Sequence, residues 1–126
     1  MKVEKICNLD LVAAEVSDSL VEAAGKMSRN YVGALPVLDQ GKLVGVISES
    51  DIVCAVAENV SLEVTPVEEY MTGGAVTVSA GDDVALAARR MLVHRIHHLP
   101  VVDGESTIGM ISSGDLLAAG ARPGDV

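Results

Sequence analysis

Two serines, each followed three positions later by an aspartate, are the strongest candidates for chemistry in this sequence. Ser48 and Asp51 follow a short β-branched segment that contains a glycine, and Ser112 and Asp115 follow a second copy of that segment. An apolar helical pattern begins at each aspartate. A strand that leads directly into a helix leaves backbone N–H groups unpaired beside a hydroxyl and a carboxylate, so a polar ligand can bind there.

The same spacing is also that of a capping box, in which the serine and the acid satisfy each other's backbone N–H groups. Taken alone, the spacing favours this structural role over ligand binding. A carboxylate can also accept the two adjacent hydroxyls of a ribose, at about 1.5–3 kcal/mol for each bond. Both roles stay open for Asp51, and an empty site would use the carboxylate as a cap.

The histidines form the second candidate cluster, since residues 94–98 read His-Arg-Ile-His-His. Positive or switchable groups gather nowhere else in this acidic chain, and a phosphate needs such donors. His94 and His97 could share a helical face and bind a metal, but no further Cys or His stands nearby in the sequence. Asp103 occupies a turn position that favours Asp, which argues against a catalytic His–Asp pair. We therefore expect cleft or surface histidines without a metal, and no catalytic site.

The composition argues against nucleic acid as a partner. The chain has 18 acidic and 9 basic residues, a net charge of −9, no Phe or Trp and two Tyr. Few rings can stack on bases, and the negative charge repels a phosphate backbone. With 126 residues, 49% of them hydrophobic, the chain is predicted to form one compact domain or two halves too small to hold separate cores.

Nothing in the sequence indicates export or a membrane. Residues Met1–Lys5 lead to Asn8 and Asp10 rather than to a sustained apolar run. No segment approaches the roughly 20 apolar residues of a membrane span. Cys7 and Cys54 are isolated, which favours buried reduced thiols over a disulfide or a zinc site. These features predict a soluble cytoplasmic protein.

A long internal repeat contains both Ser–Asp pairs. Residues 3–53 align without a gap on residues 67–117, with 15 identities in 51 positions. The identities occupy the same predicted structural roles in both halves, which favours duplication over chance. Each half is predicted to form a strand, a helix, two paired strands and a final helix.

The predicted elements follow from apolar periodicity and turn residues. Short opening strands are expected at residues 12–14 and 76–78, and the helices after them begin at Ser17-Asp18 and within residues 81–83. Their buried stripes are Leu20, Ala23, Ala24 and Met27, and Val84, Ala87, Ala88 and Met91. The hairpins are Leu35–Asp39 with Leu43–Ile47 and Leu99–Asp103 with Thr107–Ile111, and the closing helices are Asp51–Glu58 and Asp115–Ala121.

Three motifs together resemble those of a known family: Leu-Pro-Val-x-Asp in each half, Gly-x-Ile-Ser-x-x-Asp in each half, and Glu69–Thr72 at the opening of the second half. Over nearly its whole length the chain resembles a tandem cystathionine-β-synthase (CBS) domain pair, or Bateman module. The resemblance implies an α/β fold of two pseudo-symmetric motifs, residues 1–58 and 67–121, packed sheet to sheet. Residues 59–66 would be the connector and residues 122–126 a C-terminal tail.

The resemblance also implies a regulatory role and no enzymatic one. Modules of this family bind adenine nucleotides or related adenosyl compounds between their halves and usually pair into a flat homodimer. The expected ligand is of the AMP, ADP, ATP or S-adenosylmethionine class, no cofactor is expected, and a partner protein would receive the signal. A structural or protein-interaction module with empty clefts is the alternative, and a small metal-dependent enzyme is a distant third.

Matched residue by residue, the family's motif implies two ligand clefts in this protein. In each cleft, the Asp of one half would hold the ribose and the other half would surround the base. The first would contain Ser48, Ser50, Asp51, Thr72, Val76, Ile96, His97 and His98. The second would contain Asn8, Val12, Val32, Gly33, Ala34, Ser112 and Asp115. The first is favoured, because the second has Gly114 instead of a second hydroxyl and Gly33-Ala34 instead of imidazoles.

Overall fold

The computed structural model describes residues 1–120, so the predicted tail at 122–126 lies outside the described residues. The last helix was predicted to reach Ala121, but it ends at Ala118. These residues form two compact units. The contiguous unit consists of residues 12–75, and the split unit combines residues 1–11 with the residues from 76 onward. Each contains a mixed sheet and two α-helices, which confirms the predicted α/β fold with two similar motifs.

The contiguous unit follows the predicted order and adds one short strand. Its strands are β1 (Ala14–Glu15), β2 (Ala34–Asp39), β3 (Lys42–Ser48) and β4 (Thr72–Gly73), and its helices are α1 (Leu20–Asn30) and α2 (Glu49–Ala57). The sheet order is β1-β2-β3-β4, with β1 parallel to β2 and the other neighbours antiparallel. A 3-10 turn at Val67–Glu69 precedes β4, and neither of these was part of the predicted set.

The split unit repeats this plan. Its strands are β5 (Val78–Ser79), β6 (His98–Asp103) and β7 (Ser106–Ser112), and its helices are α3 (Val84–His94) and α4 (Ser113–Ala118). β5 is parallel to β6, and β6 is antiparallel to β7. A 3-10 turn lies at Val3–Lys5, and Asn8 forms an antiparallel bridge with Met110 of β7. Within the described part of the chain, no helix is both long and apolar enough to cross a bilayer.

Each unit has its own apolar core, formed by its helices and its hairpin, so the expectation that the halves are too small to hold separate cores was wrong. The core of the contiguous unit includes Leu20, Ala23, Met27, Leu35, Val37 and Ile47. The core of the split unit includes Val84, Ala87, Met91, Leu99, Val101 and Ile111. Helical side chains three and four apart lie on one face, and alternate strand residues do the same. The predicted hairpins and stripes are therefore confirmed, except that Ala24 is only half-buried and lies outside the core.

The helix after β1 begins later than predicted. α1 starts at Leu20 with Ser19 as its N-cap, and not at Ser17-Asp18. Ser19 and Glu22 form a capping box, in which Ser19 Oγ accepts a hydrogen bond from Glu22 N at 3.2 Å. The Asp18 carboxylate instead closes the turn after β1, where it accepts a bond from Glu15 N at 2.9 Å. Because Asp is favoured in such turns as well as at helix starts, Asp18 led to a predicted helix start that is too early.

The opening segment of each repeat packs in the unit that is built mainly from the other repeat. Val3 is fully buried in the core of the split unit, and its N–H donates to Asp82 O at 2.9 Å. Its repeat counterpart Val67 is fully buried in the contiguous unit and donates to Asp18 O at 2.8 Å. The compact units therefore have different boundaries from the repeats, and the division into residues 1–58 and 67–121 stays a prediction about the repeat.

Candidate functional site

The Ser48–Asp51 pair caps the N-terminus of α2. Asp51 Oδ2 accepts hydrogen bonds from Ser48 N at 2.8 Å and from Ser48 Oγ at 3.0 Å, and Asp51 N donates to Ser48 Oγ at 3.4 Å. The predicted capping role is therefore confirmed. An ionised carboxylate offers about four acceptor positions, and two of them are used here on Oδ2. No described residue donates to Oδ1, so this half-buried carboxylate can accept a ligand hydroxyl without giving up the cap.

The Ser112–Asp115 pair caps α4 with one bond fewer. Asp115 Oδ2 accepts from Ser112 N at 2.8 Å, and Asp115 N donates to Ser112 Oγ at 3.1 Å. Among the described residues, the bond between the serine hydroxyl and the carboxylate of the first cap has no counterpart here. The two sites thus share one design, but the hydroxyl proton of Ser112 is not committed to Asp115.

Each cap lies beside the first residues of the hairpin in its own unit. Ala34 pairs with Ser48, and Glu49 N donates to Gly33 O at 3.0 Å. In the split unit, His98 pairs with Ser112, and the Ser113 N–H donates to the carbonyl of residue 97 at 2.9 Å. The contiguous unit therefore brings Asp51 together with residues 32–34, and the split unit brings Asp115 together with residues 96–98. The predicted clefts group these segments the other way, across the two units, and that grouping stays a prediction.

Thr72 and Asn8 reach the strands that carry the caps. Thr72 pairs with Val46 of β3, two residues before the cap serine and on the same face. Asn8 and Met110 of β7 exchange two backbone hydrogen bonds at 2.9 and 3.0 Å. Thr72 therefore lies beside the first cap, within the contiguous unit, and Asn8 lies beside the second cap, within the split unit.

A glycine in each motif makes the close approach of Thr72 and Asn8 to these strands possible. A Cβ added at Gly45 would lie 2.5 Å from the carbonyl oxygen of Thr72, and one added at Gly109 would collide with the carbonyl oxygen of Asn8. A glycine inside a strand often marks such a close approach of backbone. The glycine was visible in the sequence, whereas the segment that packs against it was not.

The remaining predicted residues differ in exposure. The apolar side chains are half-buried against the core of their own unit: Val12 and Val32 in the contiguous unit, and Val76 and Ile96 in the split unit. Ala34 is 2% exposed, so it belongs to the interior of the contiguous unit. Ser50 and His97 are exposed at the surface.

The thiols predicted to be buried are not both buried, since Cys7 is half-buried and Cys54 is exposed. The sequence interpretation also missed the interactions that these thiols make. Burial raises the pKa of the Cys7 thiol, and the nearby Asp115 charge raises it further. In the contiguous unit, Tyr70 Oη and Cys54 Sγ both donate to Glu58, at 2.8 and 3.1 Å. The Glu58 carboxylate raises the pKa of Tyr70 to about 12 and also raises that of Cys54, while these bonds lower the pKa of Glu58. This network ties the end of α2 to the segment that leads into β4.

Within residues 1–120, no three His, Cys, Asp or Glu side chains come close enough together to hold a metal ion. His94 ends α3, whereas His97 lies beyond the helix, so the two do not share one helical face.

Comparison with known proteins follows the repeat. A family model of the CBS domain matches residues 3–58 and again residues 67–122. The CBS domain-containing protein YhcV of Bacillus subtilis is 33% identical over 100 residues, which cover 79% of this chain and 71% of the relative. L-aspartate semialdehyde sulfurtransferase of Methanocaldococcus jannaschii is 32% identical over 116 residues, 90% of this chain, but the match spans 22% of that enzyme's length.

Solved structures give the same result for the fold. The CBS domain pair of protein MJ0100, in complex with 5'-methylthioadenosine and S-adenosyl-L-methionine, matches with a TM-score of 0.87 and 30% identity over 94% of both chains. CBS domain protein PAE2072 from Pyrobaculum aerophilum, complexed with AMP, matches with a TM-score of 0.86 and 28% identity over 92% of this chain and 90% of that one. The chain therefore belongs to the CBS domain family and contains two CBS domains in tandem.

Proposed function

We propose that this protein is a cytoplasmic regulatory module that binds an adenosyl compound at its Ser-x-x-Asp sites and passes its state to a partner protein, without being an enzyme. The likeness to the MJ0100 and PAE2072 domains carries the proposal, because both of those were solved with adenosyl ligands. The expected class is AMP, ADP, ATP or S-adenosylmethionine. The free thiols Cys7 and Cys54 agree with a reducing compartment.

The chemistry at Asp51 supports a ribose as the group recognised. Oδ2 already accepts two bonds from Ser48, which leaves both acceptor positions of Oδ1 for the adjacent ribose hydroxyls. Hydrogen bonds to a charged group contribute about 1.5–3 kcal/mol each. Capping and ribose binding can therefore operate at the same time, and the helix does not fray when the ligand leaves.

Of the two predicted clefts, the one containing Asp51 is proposed as the tighter site. It combines Ser48, Ser50, Asp51 and Thr72 with Val76, Ile96, His97 and His98. The imidazoles would meet the phosphates, and Val76 and Ile96 would face the base. The second cleft, with Asn8, Val12, Val32, Gly33, Ala34, Ser112 and Asp115, offers no cationic side chain for a phosphate.

Calorimetric titration with AMP, ATP and S-adenosylmethionine tests both the ligand class and the ranking. Asp51→Ala is expected to weaken AMP binding at least about tenfold, which is about 1.4 kcal/mol, and Asp115→Ala less. Asp51→Asn separates the roles, since its amide oxygen can still cap the helix while the charge is lost. Asp39→Ala, at a hairpin turn, is the matched control. Equal losses at Asp51 and Asp115 would contradict the ranking, and no binding of any adenosyl compound would favour the structural alternative.

The phosphate contact has its own test. An imidazole contributes most to phosphate binding when it is protonated, so ATP affinity is expected to fall as the pH rises from about 6 to 8. His97→Gln and His98→Gln should remove this dependence if the contact is present, while adenosine binding stays constant over the same range. A pH dependence that persists in both variants would assign the effect to another group.

We propose that the module is a homodimer. Its helices expose several large apolar side chains, including Val53 at 67%, Leu92 at 67% and Leu117 at 78%. Apolar side chains clustered on a surface mark an interaction site, and identical chains usually pair about a two-fold axis. A monomer in sedimentation experiments at tens of micromolar would contradict this proposal and leave the ligand proposal standing.

A further inference from the structure

The backbone just before β5 is bound by a side chain of α3. Arg90 Nη1 donates to Thr77 O at 2.6 Å, and the same nitrogen lies 4.0 Å from Asp82 Oδ2. Asp82 Oδ2 also accepts a hydrogen bond from Ser79 N at 2.9 Å. A charged donor makes shorter and stronger hydrogen bonds than a neutral one. One guanidinium therefore ties the segments on both sides of β5 to the helix.

The contiguous unit has the same arrangement with a lysine in place of the arginine. Lys26 Nζ donates to Ala13 O at 2.8 Å and to Asp18 Oδ2 at 3.2 Å. Asp18 Oδ2 also accepts from Glu15 N at 2.9 Å. Because the shorter set of donors on a lysine is sufficient in this unit, the chain itself shows which conservative exchange the contact tolerates.

The residue before Thr77 is Val76, which the proposed function places against the base of the ligand. Val76 is half-buried against the core of the split unit. Within residues 1–120, no other residue makes a hydrogen bond with its N–H or its C=O. The Thr77 carbonyl, in contrast, is occupied by Arg90. This segment therefore offers a ligand one backbone donor and one backbone acceptor at Val76, while the next acceptor along the chain is already bound.

Purine bases differ in the donors and acceptors along their edge. Adenine has an amino donor beside a ring-nitrogen acceptor, and hypoxanthine has a carbonyl acceptor beside an N–H donor. Backbone groups distinguish the two patterns when they are held in place, whereas a mobile segment can adjust to either one. An unoccupied Thr77 carbonyl would also add an acceptor that suits the N–H of hypoxanthine.

We infer that Arg90 is a positioning residue that makes the proposed ligand site select adenine over hypoxanthine. It keeps the Thr77 carbonyl occupied and holds the neighbouring Val76 backbone in one place. The helix that carries it is itself anchored, because Met91 is buried in the core of the split unit. The inference rests on the proposed function and adds to it the side chain that sets base specificity. All the contacts that it uses lie within the split unit.

Calorimetric titration with AMP and with inosine monophosphate tests the inference. The wild type is expected to bind AMP more tightly, and Arg90→Met should lower the ratio of the two affinities about fivefold, as expected for the loss of one hydrogen bond. Arg90→Lys should restore most of the ratio, because Lys26 makes the equivalent contact. A wild type without the preference, a ratio unchanged in Arg90→Met, or no recovery in Arg90→Lys would overturn the inference.

Two variants control for a general loss of stability. Lys26→Met removes the equivalent contact from the contiguous unit, and Arg89→Met removes an exposed charge beside Arg90 on α3. Both variants should keep the preference of the wild type for AMP. If either one lowers the affinity ratio as much as Arg90→Met does, base selection does not depend on the Arg90 contact and the inference fails.

Amide NMR of the ligand-free protein measures the positioning without a nucleotide. Arg90→Met should cause exchange broadening at Val76 and Thr77, and Arg89→Met and Arg90→Lys should not. Signals that stay as sharp in Arg90→Met as in the wild type would overturn the inference even if the affinity ratio fell. A wild type that binds no adenosyl compound would refute the proposed function and, through it, the inference, whereas the NMR comparison would still report on the contact itself.

Discussion

In both units a basic side chain on the first helix donates a hydrogen bond to the backbone just before the opening strand. Lys26 Nζ donates to Ala13 O at 2.8 Å in the contiguous unit, and Arg90 Nη1 donates to Thr77 O at 2.6 Å in the split unit. The cation type has changed between the repeats while the contact has stayed. This contact thus depends on the length and the charge of the side chain rather than on one residue type.

Surface features do not follow this rule. Tyr70, which binds Glu58 in the contiguous unit, has Ile6 as its counterpart in the split unit, and an isoleucine cannot make that bond. Gly33 and His97 differ in the same way beside the two caps. The two repeats thus share one scaffold, whereas the surface residues that would contact ligands and partners have diverged in type.

The largest expected difference between the units lies at the glycines of the two motifs. Gly109→Ala is expected to cost about 3 kcal/mol of unfolding free energy and Gly45→Ala about 2 kcal/mol, because new Cβ atoms would press on backbone. The approach is closer at Gly109, and at Gly45 part of the contact is with the flexible Met71 side chain, 2.9 Å away. Urea denaturation measures both. Gly81→Ala, with no atom within 4 Å of its Cβ, is the control, and a larger loss at Gly45 would contradict the ordering.

The caps should differ by less. Removal of an N-cap hydroxyl costs about 0.5–2 kcal/mol. We expect Ser48→Ala to lie in the upper half of that range and Ser112→Ala in the lower half, because Ser48 Oγ makes two bonds within its cap and Ser112 Oγ makes one. Chemical denaturation at neutral pH gives both values. Threonine at either position keeps the hydroxyl and should recover most of the loss, and equal losses in the two alanine variants would show that the extra bond contributes nothing.

The smallest expected effect concerns the hydrogen bonds of Tyr70 and Cys54 to Glu58, which have no counterpart among the described residues of the split unit. Its hydrogen bond to Glu58 raises the pKa of Tyr70 from its ordinary value near 10 to about 12. Between these values the folded state keeps the Tyr70 proton and the unfolded chain has lost it, so stability should fall as the pH rises from 10 to 12.

Tyr70→Phe should lack this component of the fall, and thermal midpoints at pH 9 and above 11 measure the difference from the wild type. Tyr31→Phe is the matched control, since Tyr31 is 97% exposed. If the Tyr31 and Tyr70 variants respond to pH in the same way, the contact with Glu58 does not operate in solution.

The sequence predicted whatever depends on local pattern. Apolar periodicity located the helices and hairpins, and the Ser-x-x-Asp spacing located both caps. Local pattern alone could not predict that Asn8 and Thr72 pack beside these caps, because both contacts join segments far apart in the chain. Only the family resemblance grouped Thr72 with Asp51 and Asn8 with Asp115. The network of Tyr70, Glu58 and Cys54 was missed for the same reason. The boundary error at Ser17-Asp18 has a local cause, since Asp serves turns and helix starts equally well.

The assignment of residues 1–11 to the split unit also sets an order of events during synthesis. Every residue of the contiguous unit has left the ribosome once the chain has been extended somewhat beyond residue 75. Val3 must wait for members of its core such as Leu99 and Ile111, which are synthesised about 100 residues later. Contacts between distant segments form more slowly than local ones. We therefore expect residues 1–11 of the nascent chain to remain unpacked and accessible to chaperones until the strands of the split unit have been synthesised.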